Sequence, residues 1–147
     1  ELGSTGYGVV ESTLVAVKHM KKNIKKMTVA IEGFGNVGTF AAKYLTEAGA
    51  KIVAVSDSRG AIYNEKGLDI NELEKVKSEQ RTVTMYKPGK ILDGKKLFEL
   101  DVDILIPAAI ENQITAQNAK QIKAKIILEM ANGLYKADVL LPLTGKG

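Results

Sequence analysis

The densest chemical signal in the chain is six residues long: Gly33-Phe34-Gly35-Asn36-Val37-Gly38. They form a G-x-G-x-x-G pattern, and each glycine has a separate use. Gly33 permits a tight turn, Gly35 lets the backbone approach a pyrophosphate that a side chain would push away, and Gly38 lets a helix pack close to the preceding strand. Three glycines in six residues are weak by themselves, because turns often contain them. The flanks add weight. Met27-Thr28-Val29-Ala30-Ile31 precedes the pattern as an apolar run suited to a strand buried on both sides, and a helical periodicity opens directly after it. Such a helix offers free N–H groups and its positive end to phosphates.

A dinucleotide site also needs an acid about 20 positions on, at the end of the next strand. Asp57 ends the run Ile52-Val53-Ala54-Val55-Ser56 and fits that place. Its carboxylate is expected to accept hydrogen bonds from the adenosine ribose; the bland alternative is that it caps the turn Ser56-Asp57-Ser58-Arg59-Gly60. The choice of dinucleotide stays open. A carboxylate here repels the 2′-phosphate of NADP and favours NAD, yet Ser58 and Arg59 follow at once and a guanidinium can clamp a phosphate.

The elements that must position these residues follow from periodicity. Val10, Leu14 and Val17 recur on one face of a helix expected over 8–20. Val37, Phe40, Ala41, Tyr44, Leu45 and Ala48 define the helix after the glycine loop, stopped by Gly49 as a left-handed cap. Ala61-Ile62-Tyr63 reads as a short strand or turn. Asp69 and Glu72 are spaced as a capping box, with Leu68 and Leu73 as a hydrophobic staple, so a helix starts at Asp69. Residues 80–94 carry little signal beyond turns at Pro88-Gly89 and Asp93-Gly94. Strands return at 103–106 and 125–128, and Thr115 caps a helix between them that reaches about Lys123. Strands alternating with helices predict a single domain over 1–147. Its fold class is α/β, a doubly wound, mostly parallel sheet of the Rossmann dinucleotide-binding kind.

Composition excludes several other chemistries. There are no cysteines and only one histidine, so a disulfide framework, a thiolate nucleophile and a cysteine zinc site are all ruled out, and no metal site is expected. No apolar run approaches the ~20 residues that span a bilayer, and Glu1-Leu2-Gly3-Ser4 does not open a secretion signal. A reducing, cytoplasmic setting is the default expectation. Part of the net charge of +4 sits between Lys18 and Lys26. That stretch is read as the polar end of a helix running into a loop rather than a nucleic-acid or membrane patch.

Longer motifs resemble a known family. GFGNVG at 33–38, followed by VAVSDSRGAIYNEKGLD at 53–69, is similar to the cofactor domain of glutamate dehydrogenases, within the glutamate, leucine, phenylalanine and valine dehydrogenases. STGYGVV at 4–10, DILIPAAIENQIT at 103–115 and EMANG at 129–133 resemble further segments of that domain. The resemblance implies an oxidoreductase of amino acid metabolism that reversibly deaminates L-glutamate to 2-oxoglutarate and ammonia with NAD or NADP. It implies that Thr5 lies near the nicotinamide carboxamide, Ala108 and Ala109 beside the nicotinamide ribose, and Asn132 close to the nicotinamide end. It also implies a separate substrate domain holding the catalytic lysine and aspartate, and a homo-oligomeric, hexameric parent enzyme. No catalytic residue is therefore expected here, and the chain alone should bind cofactor and turn nothing over.

One departure is visible. The family usually continues Pro-Thr after the glycine matching Gly133, where this chain has Leu134-Tyr135. The chain looks like an excised domain or a fragment. Two rivals remain: the cofactor domain of a leucine, valine or phenylalanine dehydrogenase, and a nucleotide-sensing module without chemistry. The first shares the glycine turn but lacks the SDSRGAIYNEKGLD continuation, and the second needs neither STGYGVV nor PAAIENQI.

Overall fold

The computed structural model describes residues 24–108 and 121–127. The helix expected over 8–20, the glutamate- and asparagine-bearing segment at 129–133, and most of the helix capped by Thr115 lie outside them.

Among the described residues the architecture is mixed α/β, a single six-stranded sheet with two α-helices and short 3-10 turns. The strands are β1 (Thr28–Glu32), β2 (Lys51–Asp57), β3 (Gly60–Tyr63), β4 (Lys90–Leu92), β5 (Ile104–Pro107) and β6 (Ile126–Ile127), in the order β4-β3-β2-β1-β5-β6. β1 pairs in parallel with β2 and β5, and β5 with β6, whereas β2–β3 and β3–β4 are antiparallel. The antiparallel part departs from simple strand–helix alternation. Gly60, with φ 147, lets β2 reverse within two residues, so no crossover helix is needed there.

Side-chain alternation along the strands explains the two cores. In β1, Val29 and Ile31 face one way and Ala30 the other; β5 repeats this with Ile104 and Ile106 against Leu105. In β2 the alternation slips: Ile52 and Val55 share one core while Val53 and Ala54 share the other, where the register with β1 shifts between Val29 and Ala30. Helix α1 (Asn36–Glu47) and helix α2 (Ile70–Gln80) close the first core with Ala41, Ala42, Leu45, Ile70 and Leu73. The second is closed by Leu97 and Phe98 of the 3-10 turn at Gly94–Glu99, with Ile122 and Ala124.

Local signals place both helices. Asp69 caps α2 by accepting the Glu72 N–H at 3.2 Å, and Leu68 and Leu73 are both buried as the staple requires. Gly49 follows α1 with φ 105. The buried stripe of α1 is Gly38, Ala41, Ala42 and Leu45, rotated about one position from the expected face, with Val37 and Tyr44 only partly buried. The small residues lie against the sheet because close backbone approach leaves no room for large ones.

Candidate functional site

The C-terminal ends of β1, β2 and β5 open on one cleft of about 860 Å³. The chain runs from β1 through β2 to β4 on one side, then returns to place β5 on the other flank of β1. The order therefore reverses beside β1, and a crevice forms where the flanking connections diverge. The whole glycine loop lines it, with Glu32, Ser56 to Gly60, Lys77, Asp93 to Lys95, Phe98 and Ala108.

The three glycines meet three different demands. Gly33 has φ 99 and donates its N–H to the Ser56 carbonyl at 2.9 Å, which ties the loop to the end of β2. A Cβ on Gly38 would collide with the Gly33 carbonyl, so the turn closes only on a hydrogen atom. A Cβ on Gly35 would meet no atom of the described residues within 4 Å, so among them no packing contact requires glycine there. Phe34 is 4% exposed and anchors the loop in the core below, while Asn36 is exposed. Helix α1 has no side-chain cap on its N-terminus, and its first intrahelical bond runs from Thr39 to Gly35. The N–H groups of Asn36, Val37 and Gly38 precede that bond and lack intrahelical acceptors, as in any first turn.

At the end of β2 the carboxylate of Asp57 is only 5% exposed. Its Oδ2 accepts the Val83 N–H at 2.7 Å and the Lys77 ammonium at 3.0 Å. Its Oδ1 accepts the Arg59 N–H at 2.9 Å and the Thr82 hydroxyl at 3.2 Å. The turn-capping bond to Arg59 is thus present, together with three longer-range partners. Burial alone would raise the carboxyl pKa. The hydrogen bonds from Val83, Arg59, Lys77 and Thr82 outweigh it and hold the group below its ordinary 3.8. Ser58 and Arg59 are exposed at the rim, and their side chains have no hydrogen-bond or ion-pair partner among the described residues.

Ala108 stands on the far side of the glycine loop, its N–H donated to the Glu32 carbonyl at 2.7 Å. Gly33 to Gly38, Asp57 to Arg59 and Ala108 are therefore brought together, while Thr5, Ala109 and Asn132 lie outside the described residues. Sequence reasoning did not single out Glu32, Lys77, Asp93, Lys95 or Phe98. Glu32 ends β1 directly before the first glycine, a position that could have been flagged. Lys77 looks like any lysine on a helix surface until the fold turns it to Asp57. No group of three or more potential metal ligands occurs among the described residues.

The model for the glutamate/leucine/phenylalanine/valine dehydrogenase family matches residues 1–146. The chain is 56% identical to a glutamate dehydrogenase of Aeropyrum pernix, over 88% of this chain and 31% of that protein. It is 46% identical to an NAD-specific glutamate dehydrogenase of Staphylococcus aureus, over 98% of this chain and 34% of that protein. It superposes on the hetero-hexameric glutamate dehydrogenase of Thermus thermophilus in its leucine-bound form with a TM-score of 0.83 and 27% identity, covering 99% of this chain and 34% of that one. The chain spans about a third of the length of these relatives. It belongs to the glutamate/leucine/phenylalanine/valine dehydrogenase family.

Proposed function

We propose that this chain is the dinucleotide-binding domain, of Rossmann type and spanning 1–147, of an NAD(P)-dependent glutamate dehydrogenase. The observation that carries the reading is the glycine loop. Its middle glycine opens on empty space beside the unpaired first turn of α1, while its outer two are required by the backbone. Those are the requirements of a pyrophosphate seat. The cleft extends on both sides of that seat, to Asp57–Arg59 on β2 and to Ala108 on β5. Two strand spacings separate β2 from β5, roughly 10 Å, which suits an elongated ligand lying across the strand ends. The adenosine half lies toward β2 and the nicotinamide half toward Ala108, with Thr5, Ala109 and Asn132 contributing at the nicotinamide.

A nicotinamide cofactor held in this cleft would supply the hydride acceptor for oxidation at the amino acid α-carbon. This domain's share is orientation: it holds the ring at a fixed distance and angle to a substrate delivered from elsewhere. The groups that bind glutamate and take its ammonium proton belong to a substrate domain outside this chain, in an oligomeric, cytoplasmic enzyme. The identity to the Aeropyrum and Staphylococcus enzymes, each named glutamate dehydrogenase, supports glutamate over leucine, valine or phenylalanine.

Calorimetric titration of the chain with NAD⁺, NADP⁺ and a short DNA duplex tests the reading. Saturable binding of a dinucleotide and none of the duplex is expected. With glutamate and saturating cofactor, no reduced nicotinamide should form above the control without protein. Turnover proportional to chain concentration would place a catalytic base in this chain and contradict the assignment.

A further inference from the structure

β4 is the last strand on one side of the sheet, and among the described residues it pairs with β3 alone. Ile91 is paired with Ile62, so both side chains leave the same face of the sheet. Ile62 is fully buried there, whereas Ile91 is 63% exposed. Met85, in the 3-10 turn Val83–Met85, is 54% exposed. Among the described residues these are the two exposed large hydrophobic side chains, and they belong to one edge. Their chain neighbours close on the same residue: the Thr84 methyl and the Leu92 carbonyl lie 3.3 and 3.2 Å from where a Cβ on Gly60 would stand.

The charge of this edge has one sign. From Thr82 to Leu92 the chain carries Lys87 and Lys90, both exposed, and no acid. Neither lysine has an ion-pair partner among the described residues. The acids around the segment are matched elsewhere. Glu79 precedes Arg81, Glu65 adjoins Lys66 in the turn that holds the Pro88 carbonyl through Asn64, and Asp93 accepts the Lys95 N–H. Lysine on an edge strand commonly protects against pairing between like edges. It does so here against a second copy, because two β4 edges side by side would gather four lysines in one small contact without an acid. The same lysines favour a strand of opposite charge.

We infer that the β4 edge is a docking surface for an extended acidic segment of another protein, added as a further strand outside β4. Side chains alternate between faces along such a strand. Apolar residues would then cover Ile91 and Met85 on one face, while carboxylates reach Lys90 on the other and Lys87 at the end of the edge. Main-chain hydrogen bonds supply the affinity, and the alternation of apolar and acidic residues supplies the selection. None of Met85, Lys87, Lys90 and Ile91 lines the cleft, so the inference stands apart from the dinucleotide reading.

The test follows the fluorescence anisotropy of two labelled peptides titrated with the chain at low salt. One alternates valine with glutamate, the other valine with lysine. The acidic peptide should bind saturably and the basic one should not. Ile91→Lys separates docking from plain charge attraction: it adds a cation, so attraction alone would tighten binding, whereas docking requires at least a tenfold loss. Lys90→Glu should also lose about tenfold, and Lys90→Arg should stay within threefold of the parent. With the acidic peptide bound, the backbone amides of residues 90–92 should exchange their hydrogens more slowly. Absence of saturable binding, equal binding of both peptides, or unchanged or tighter binding by Ile91→Lys would each overturn the inference. Concentration-dependent self-association that Ile91→Lys abolishes would overturn it too, by giving the edge to a second copy. Ile91 and Lys90 are both exposed, so these variants leave the cores intact.

Discussion

The glycine loop and the end of β2 lie on the same cleft, and sequence informs on them very differently. In the loop the residue type is itself the function. Gly33 is set by its φ of 99, Gly38 by contact with the Gly33 carbonyl and Gly35 by open space, all consequences of lacking a Cβ. At the end of β2 the residue type gives only the position. Asp57 stands where the fingerprint places an acid, but its lone pairs are taken by Val83, Lys77, Arg59 and Thr82, three of them 20 or more residues away. What a missing side chain permits can be read locally. What a carboxylate does depends on donors that the fold delivers from elsewhere.

The sharpest break of that contrast is Gly38→Val. Its Cβ meets a backbone carbonyl that has no rotamer to retreat into, and overpacking of this kind costs about 3 kcal/mol. Thermal melting should show a large fall in midpoint. Near-native melting would mean that the loop and helix separate easily and that close packing is not the role of this glycine.

Asp57→Ala should come next. It leaves the Val83 N–H and the buried Thr82 hydroxyl without their acceptor, and bonds to a charged group of this sort contribute about 2 kcal/mol. Urea unfolding would measure it, and a loss below about 0.5 kcal/mol would contradict the clamp described for this side chain.

The same carboxylate gives a pH signature. Its pKa is lowered in the folded chain, so the folded state binds its proton less readily than the unfolded one. The stabilisation is fully present above the ordinary value of 3.8 and is lost as pH falls through the lower folded value. Asp57→Asn should flatten this part of the acid limb, and an unchanged difference between variant and parent from pH 6 to pH 3 would contradict it. The smallest effect belongs to Lys43→Ala. The Lys43–Glu74 pair joins α1 to α2 at 2.7 Å but is more than two-fifths exposed on both sides, so its loss should change unfolding by less than about 0.5 kcal/mol.

The pattern of legibility follows the same division. β1, β2, β5 and β6 lie in the interior of the sheet or against its cores, and their apolar runs announced them to within a residue or two. The start of α2 was legible in the Asp69–Glu72 spacing and the stop of α1 in Gly49. β4 was not: Lys90 and Ile91 are exposed, Ile91 at 63%, and an edge strand paired on one side imposes no burial pattern. The antiparallel hairpin of β2 and β3 hid in a four-residue strand that also read as a turn. The contribution of Lys77 had no local sign, since it exists only once α2 packs beside the end of β2. Thr5, Ala109 and Asn132 fall outside the described residues, and of the residues expected beside a nicotinamide only Ala108 is seen lining the cleft among the described residues.

If Gly33 to Gly38 seat the pyrophosphate of a dinucleotide, Gly35→Val should abolish binding without unfolding the chain. The new Cβ meets no atom of the described residues within 4 Å, so the melting temperature should stay within a degree or two of the parent. Calorimetric affinity for both NAD⁺ and NADP⁺ should fall at least a hundredfold, because branched carbons would occupy the place of the phosphates. A variant that remains folded and binds either cofactor as well as the parent does would contradict the account.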